Sequence, residues 1–311
     1  MDKSKSENYK PIINEKGQIE YVRRKNVMSV FDYINYAFFI IFAILCIFPI
    51  VYQVLLSFAS RADELQSYIL ILPRHFNLDA YKSILFKNRI LRSFGISVFL
   101  AVVGSGYSVL MTCLGGYVFT RRDTPGLKIV FMMFIFTMFF GGGLIPFFMV
   151  CKDLFGMDNL WVLIVPFGAG TFNIIILRNF FSQVPESIVE SCRLDGASEF
   201  TILFRFIIPL SKAGIATILL FTIVGRWDDW YWPMIFLKKR TDLYPLALEL
   251  RSVLNAQEAE GNVTGELDWE NIFAKGRNAA MICISLFPIM CLYPFLQKYF
   301  TKGVMIGGVK G

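Results

Sequence analysis

The chain has 311 residues, 55% of them hydrophobic, 16% aromatic and only 18% charged, and its mean hydropathy is +0.54. This composition excludes an ordinary water-soluble globule. The net charge of +7 reads as a membrane-orientation signal and asks for no nucleic-acid partner.

A helix needs roughly 20 mainly apolar residues to cross a hydrocarbon core about 30 Å thick. Residues 1–30 are a polar, basic tail with too few apolar side chains to pack, expected to be weakly ordered and cytoplasmic. Residues 31–311 then read as one all-α, six-helix transmembrane domain, with spans at 36–58, 94–119, 128–150, 160–177, 213–237 and 279–297. No small-residue cleavage site follows the first apolar run, so that run is expected to be retained as an anchor. Between the first two spans, the outer loop 60–92 should hold a short amphipathic helix over 79–91, with Tyr81, Ile84 and Leu85 on one face.

In the second span Gly104, Ser108, Thr112 and Gly116 recur every fourth position and predict a face packed closely on another helix. In the third, Gly141, Gly142, Gly143 and Pro146 weaken the helix near its outer end, and Pro166, Gly168 and Gly170 do the same within the fourth. Broken backbone at membrane depth must be packed in protein or line a cavity. The fifth span loses its apolar character at residues 225–233, and the outer loop 238–277 contains an acidic stretch, 256–270, that is a candidate contact surface for a soluble partner.

Cys46, Cys113, Cys283 and Cys291 lie in apolar spans and read as small packing residues, as do Cys151 and Cys192. A single histidine, His75, leaves no metal site and no Ser/His/Asp or Cys/His set to assemble. With six spans both termini share a side with the loops around residues 121–128 and 179–212, and basic residues outnumber acidic ones there, whereas the other side is nearly balanced. Both termini are therefore expected in the cytoplasm.

The cytoplasmic loop 179–212 is the most specific feature. Pro185 suits a helix N1 position with Glu186 and Glu190 following, and Gly196 suits the left-handed residue that ends the helix. A second short helix is expected from Ser198 to a stop before Pro209. The two would form a knob with Ile188, Leu194, Phe200, Leu203 and Phe204 as its apolar face, docking on another protein where that face stays exposed.

Glu190, Asp195, Gly196, Ala197 and Pro209 stand at the spacing of the coupling loop of binding-protein-dependent ABC importer permeases, which this chain resembles. Ser191 and Cys192 replace two usual alanines, and Leu203, Phe206 and Ile208 are also substitutions of the pattern. The stretch 139–146 and the tail 297–311 resemble the carbohydrate-uptake branch, for oligosaccharides derived from polysaccharides. The resemblance implies the type I importer core, with Phe200 joining the five pattern residues in ATPase coupling. It also implies a second related permease, two ATPase subunits carrying ATP and magnesium, an extracellular or periplasmic substrate-binding protein, and a bacterial plasma membrane. Consistent with that division of labour, the chain has no G-x-x-x-x-G-K-[ST] loop, so it is expected to bind no cofactor and to be no enzyme itself.

Trp227, Asp228, Asp229 and Trp230 gather aromatic rings and carboxylates at the break in the fifth span. Indole rings pack on sugar C–H faces and carboxylates accept hydroxyl hydrogen bonds, so these four are the substrate-path candidates. Interfacial anchoring, with Arg226 paired to Asp228 or Asp229, is the structural alternative. A secondary transporter coupled through Arg226, Asp228 and Asp229, or a non-transporting membrane scaffold, are the other functions the chain could serve.

Overall fold

A computed structural model describes residues 9–13, 19–23, 30–60, 76–85, 88–121, 124–261 and 274–307. They divide into two compact units, residues 1–52 and 53–311.

The first unit begins with an antiparallel hairpin, β1 (Tyr9–Ile13) on β2 (Ile19–Arg23), in register from Tyr9 opposite Arg23 to Ile13 opposite Ile19. These two short strands lie within the stretch expected as a weakly ordered tail. Helix α1 (Val30–Ser57) follows, with Pro49 inside it. Phe38, Phe42 and Phe48 are among its many exposed apolar side chains, as befits a helix solvated by lipid.

The second unit is helical. After α2 (Asp79–Leu85), α3 (Asn88–Phe99) runs through a π-turn at Leu100–Gly104 into α4 (Ser105–Val118), making the second span continuous. On α2, Ala80 and Ile84 are buried and Tyr81 is hydrogen-bonded to Ser57 at 2.8 Å; the helix expected over 79–91 starts at Asp79 but ends at Leu85, and Asn88 begins the separate α3. The third span is not one helix: α5 (Leu127–Phe139) and α6 (Leu144–Phe155) meet at 118°. Gly143, at φ 87°, begins α6 in a conformation that side chains disfavour.

The fourth span, expected as one helix over 160–177, is a 3₁₀ turn at Trp161–Leu163, an irregular stretch and then α7 (Thr171–Phe181). Pro166 and Gly170 interrupt the ladder, and Gly168 lets Tyr107 of α4 approach so closely that an added Cβ would overlap the ring. Next come α8 (Glu186–Leu194) and α9 (Glu199–Ile202). A π-turn at Leu203–Ile207 and a helical turn at Ile208–Leu210 then lead, across an 86° bend, into α10 (Lys212–Trp227). The helix therefore passes Pro209 rather than stopping before it, because the wide turn shifts the ladder that proline cannot complete. Helix α11 (Tyr231–Phe236), α12 (Leu246–Gly261) and the long α13 (Ala274–Gly307), which contains the sixth predicted span, complete the unit.

Three buried clusters hold these helices together. One joins Cys113 and Tyr117 to Leu177, Val189, Ile202 and Ile218 beneath the coupling loop. A second joins Ile84, Trp227, Leu246 and Met281, and a third packs Val162, Leu163 and Ile164 on Cys151 and Phe236. The small-residue stripe lies between helices as expected: a Cβ on Gly116 would stand 3.3 Å from the Arg178 nitrogen of α7, and one on Gly104 would stand 3.4 Å from Arg226 Nε of α10. Ser108 and Thr112 between them are buried.

Candidate functional site

At the coupling loop, local chemistry shapes a knob. Pro185 is the N-cap of α8, one place before the N1 position expected of it, and Glu186 stays in the first turn against the positive helix end. At the other end the Gly196 N–H donates to the Arg193 carbonyl at 3.0 Å and the Ala197 N–H to the Cys192 carbonyl at 2.9 Å. With Gly196 at φ 80° this is a Schellman cap, and Ala197 and Cys192 share the buried cluster that accompanies it. Any other residue in that left-handed conformation costs about 1–2 kcal/mol. Ser198 then caps α9 by accepting from the Thr201 N–H at 3.3 Å.

The predicted apolar face splits in two. Val189, Cys192, Ile202 and Leu203 pack inward with Ile188, anchoring the knob on α4 and α7. Leu194, 89% exposed, Phe200, 68% exposed, and Phe204 point outward instead. Glu190, Asp195 and Pro209 are exposed as well. Of the coupling candidates, only Ala197 is partly buried.

Sequence reasoning missed the latch behind the knob. The Glu199 carboxylate accepts hydrogen bonds from the Tyr117 hydroxyl at 2.6 Å, from Arg193 Nε at 3.1 Å and from the Arg121 guanidinium. Partial burial alone would raise the Glu199 pKa, but the Tyr117 hydroxyl and the two guanidiniums outweigh it and hold the carboxyl below the usual carboxylate range. The available signal was an acid directly after the N-cap Ser198, with arginines at the end of the second span.

The break in the fifth span has a different geometry from the one expected. Arg226 does not bond to either neighbouring aspartate. Its guanidinium donates to the carbonyls of Leu163, Ile164 and Phe167, at 3.0 Å for Phe167, and lies over the Phe167 ring. The irregular fourth span has carbonyls without helical partners, and an arginine satisfies them better than a carboxylate could. Trp227 is 4% exposed, donates its indole N–H to the Ser285 carbonyl at 2.9 Å and meets Phe94 edge-on. It is thus a packing residue with no open face. Asp229 Oδ1 accepts from the Tyr231 and Trp232 N–H groups at 3.1 and 3.2 Å, capping α11. Asp228 is exposed, and Trp230 is partly exposed with Arg251 lying 3.5 Å from its ring centroid.

The family described as the binding-protein-dependent transport system inner membrane component matches residues 113–306, from the middle of α4 almost to the end of α13. The chain belongs to that family. Among relatives of this inner membrane component, Protein LplC of Bacillus subtilis (strain 168) is 37% identical over 294 residues, covering 94% of this chain and 99% of its own. The polygalacturonan/rhamnogalacturonan transport system permease protein YtcP of the same organism is 34% identical, covering 91% and 99%. Among solved structures, a bacterial ABC transporter involved in the import of the acidic polysaccharide alginate matches with a TM-score of 0.80 and 28% identity, over 90% of this chain and 99% of that one. The fold is therefore that of an ABC importer permease, and the chain is the membrane-embedded component of such a system.

Proposed function

We propose that this component imports an oligosaccharide, coupling ATP hydrolysis by partner subunits to passage of the sugar across the plasma membrane. It does so beside a second, related permease, with two ATPase subunits bearing ATP and magnesium on the cytoplasmic side and a binding protein delivering substrate outside. Both termini lie in the cytoplasm. The chain itself catalyses nothing and binds no cofactor.

The observation that carries this reading is the outward half of the knob, where Leu194 and Phe200 hold exposed apolar side chains on either side of a left-handed Gly196. A membrane protein gains nothing from exposing them there unless a partner covers them. The relatives named for polygalacturonan/rhamnogalacturonan and alginate support a sugar as cargo. Asp228 and the open part of Trp230 are the side chains best placed for it, whereas Trp227 supports the bundle and Asp229 holds α11.

The test is the purified importer with Gly196→Arg. The variant should insert and assemble, yet lose substrate-stimulated ATP hydrolysis and uptake. Normal stimulation in an assembled variant would refute coupling through this turn.

A further inference from the structure

A groove of about 480 Å³ opens at the end of the bundle that carries the coupling loop, between the start of α5 and the ends of α4 and α7. Arg121, Lys128 and Arg178 stand around it, and among the described residues none that lines it is acidic. Its opposite wall is apolar: Phe131, Met132 and Ile135 form one side of α5. Met132 is 61% exposed, so this wall continues directly into the membrane-facing surface of the helix.

The cations are arranged for different tasks. Arg178 is fixed, with Nε donating to the Phe119 carbonyl at 2.8 Å and its guanidinium 4.7 Å from the Phe131 ring centroid. Arg121 is shared with Glu199 of the latch. Lys128 is exposed in the first turn of α5, where the polar loop gives way to apolar helix. An anion with an attached hydrocarbon chain satisfies both parts of the groove at once. A soluble anion would have no use for the wall of Phe131, Met132 and Ile135.

We propose that this groove is a binding site for an anionic phospholipid of the inner leaflet, its headgroup phosphate among Arg121, Lys128 and Arg178 and its acyl chains along α5. Basic pockets between membrane helices on the cytoplasmic side favour such headgroups. The inference rests on the reading that the coupling loop lies in the cytosol. It adds that lipid charge is sensed next to the latch, through the Arg121 that both share.

The test is lipid retention by the complete importer, measured by native mass spectrometry after reconstitution with phosphatidylglycerol and phosphatidylcholine. The wild type should retain phosphatidylglycerol preferentially. Lys128→Gln should weaken that preference about fivefold, the effect of one basic residue near the surface, and Lys128→Arg should restore it. Equal retention of the two lipids, an unchanged preference in Lys128→Gln, or displacement by millimolar glycerol phosphate would each overturn the proposal. Gly196→Arg should keep the preference, so a failure of the coupling reading and a failure of the lipid site give different results.

Discussion

Trp230 and Trp227 are three residues apart and have opposite fates, which makes them a sharp pair to compare. Trp230 is partly exposed beneath Arg251, whose guanidinium lies 3.5 Å from its ring centroid. Trp230→Ala should lower oligosaccharide uptake about tenfold, about 1.4 kcal/mol, with assembly and basal ATPase activity intact, as radiolabelled uptake in cells would show. Trp227 is buried and bonded to Ser285. Trp227→Ala should instead cost about 3–5 kcal/mol of stability and appear as a low yield of assembled complex. Glu199 makes a pH prediction. Its folded pKa is depressed, so the stabilisation it gives is fully present above the ordinary carboxylate range and is lost as the pH falls through its lowered value. Melting curves of the detergent-solubilised complex between neutral and acidic pH should show this loss in the wild type and less of it in Glu199→Gln.

Among the elements, the stripe on α4 offers the most direct test. Gly104→Leu should drive a side chain into Arg226, and overpacking of this kind costs about 1–3 kcal/mol. A lower melting temperature of the complex would show it; an unchanged one would mean that the face can relax. This stripe was legible in the sequence because small residues every fourth position have one physical use in a helix packed on others. The Gly196 turn was legible for a similar reason: a glycine after a short amphipathic run with Pro185 at its start is a backbone signal, independent of distant contacts. Pro166, Gly168 and Gly170 foretold a weakened fourth span but not its collapse into a 3₁₀ turn and a separate α7, because propensity cannot supply the partner that makes such a break tolerable. That partner, Arg226, lies about sixty residues away. The latch was hidden in the same way, since Glu199 and Tyr117 are 82 positions apart. The bonds of Asp229 to the N–H groups of α11 were not legible either, because a carboxylate beside tryptophans carries no sign of which backbone it will meet.

For the molecule as a whole, the exposed halves of α1, α5 and the knob divide the surface by solvent. Apolar residues of α1 and α5 suit lipid, whereas Leu194 and Phe200 call for a protein partner. The guanidinium of Arg226 ties the broken fourth span to the fifth through three carbonyls, and each hydrogen bond to a charged group contributes about 1.5–3 kcal/mol. That offsets the cost of about 2.5–3.5 kcal/mol for an arginine at membrane depth. Gly104 belongs to the same arrangement, since its missing side chain leaves the room in which that guanidinium lies. A side chain larger than a methyl at position 104 would press on that guanidinium, since a Cβ there already stands 3.4 Å from Nε. Across distant relatives the two positions should therefore vary as a pair: where the glycine is replaced by a bulky residue, the arginine should be lost and the fourth span should recover an unbroken helix.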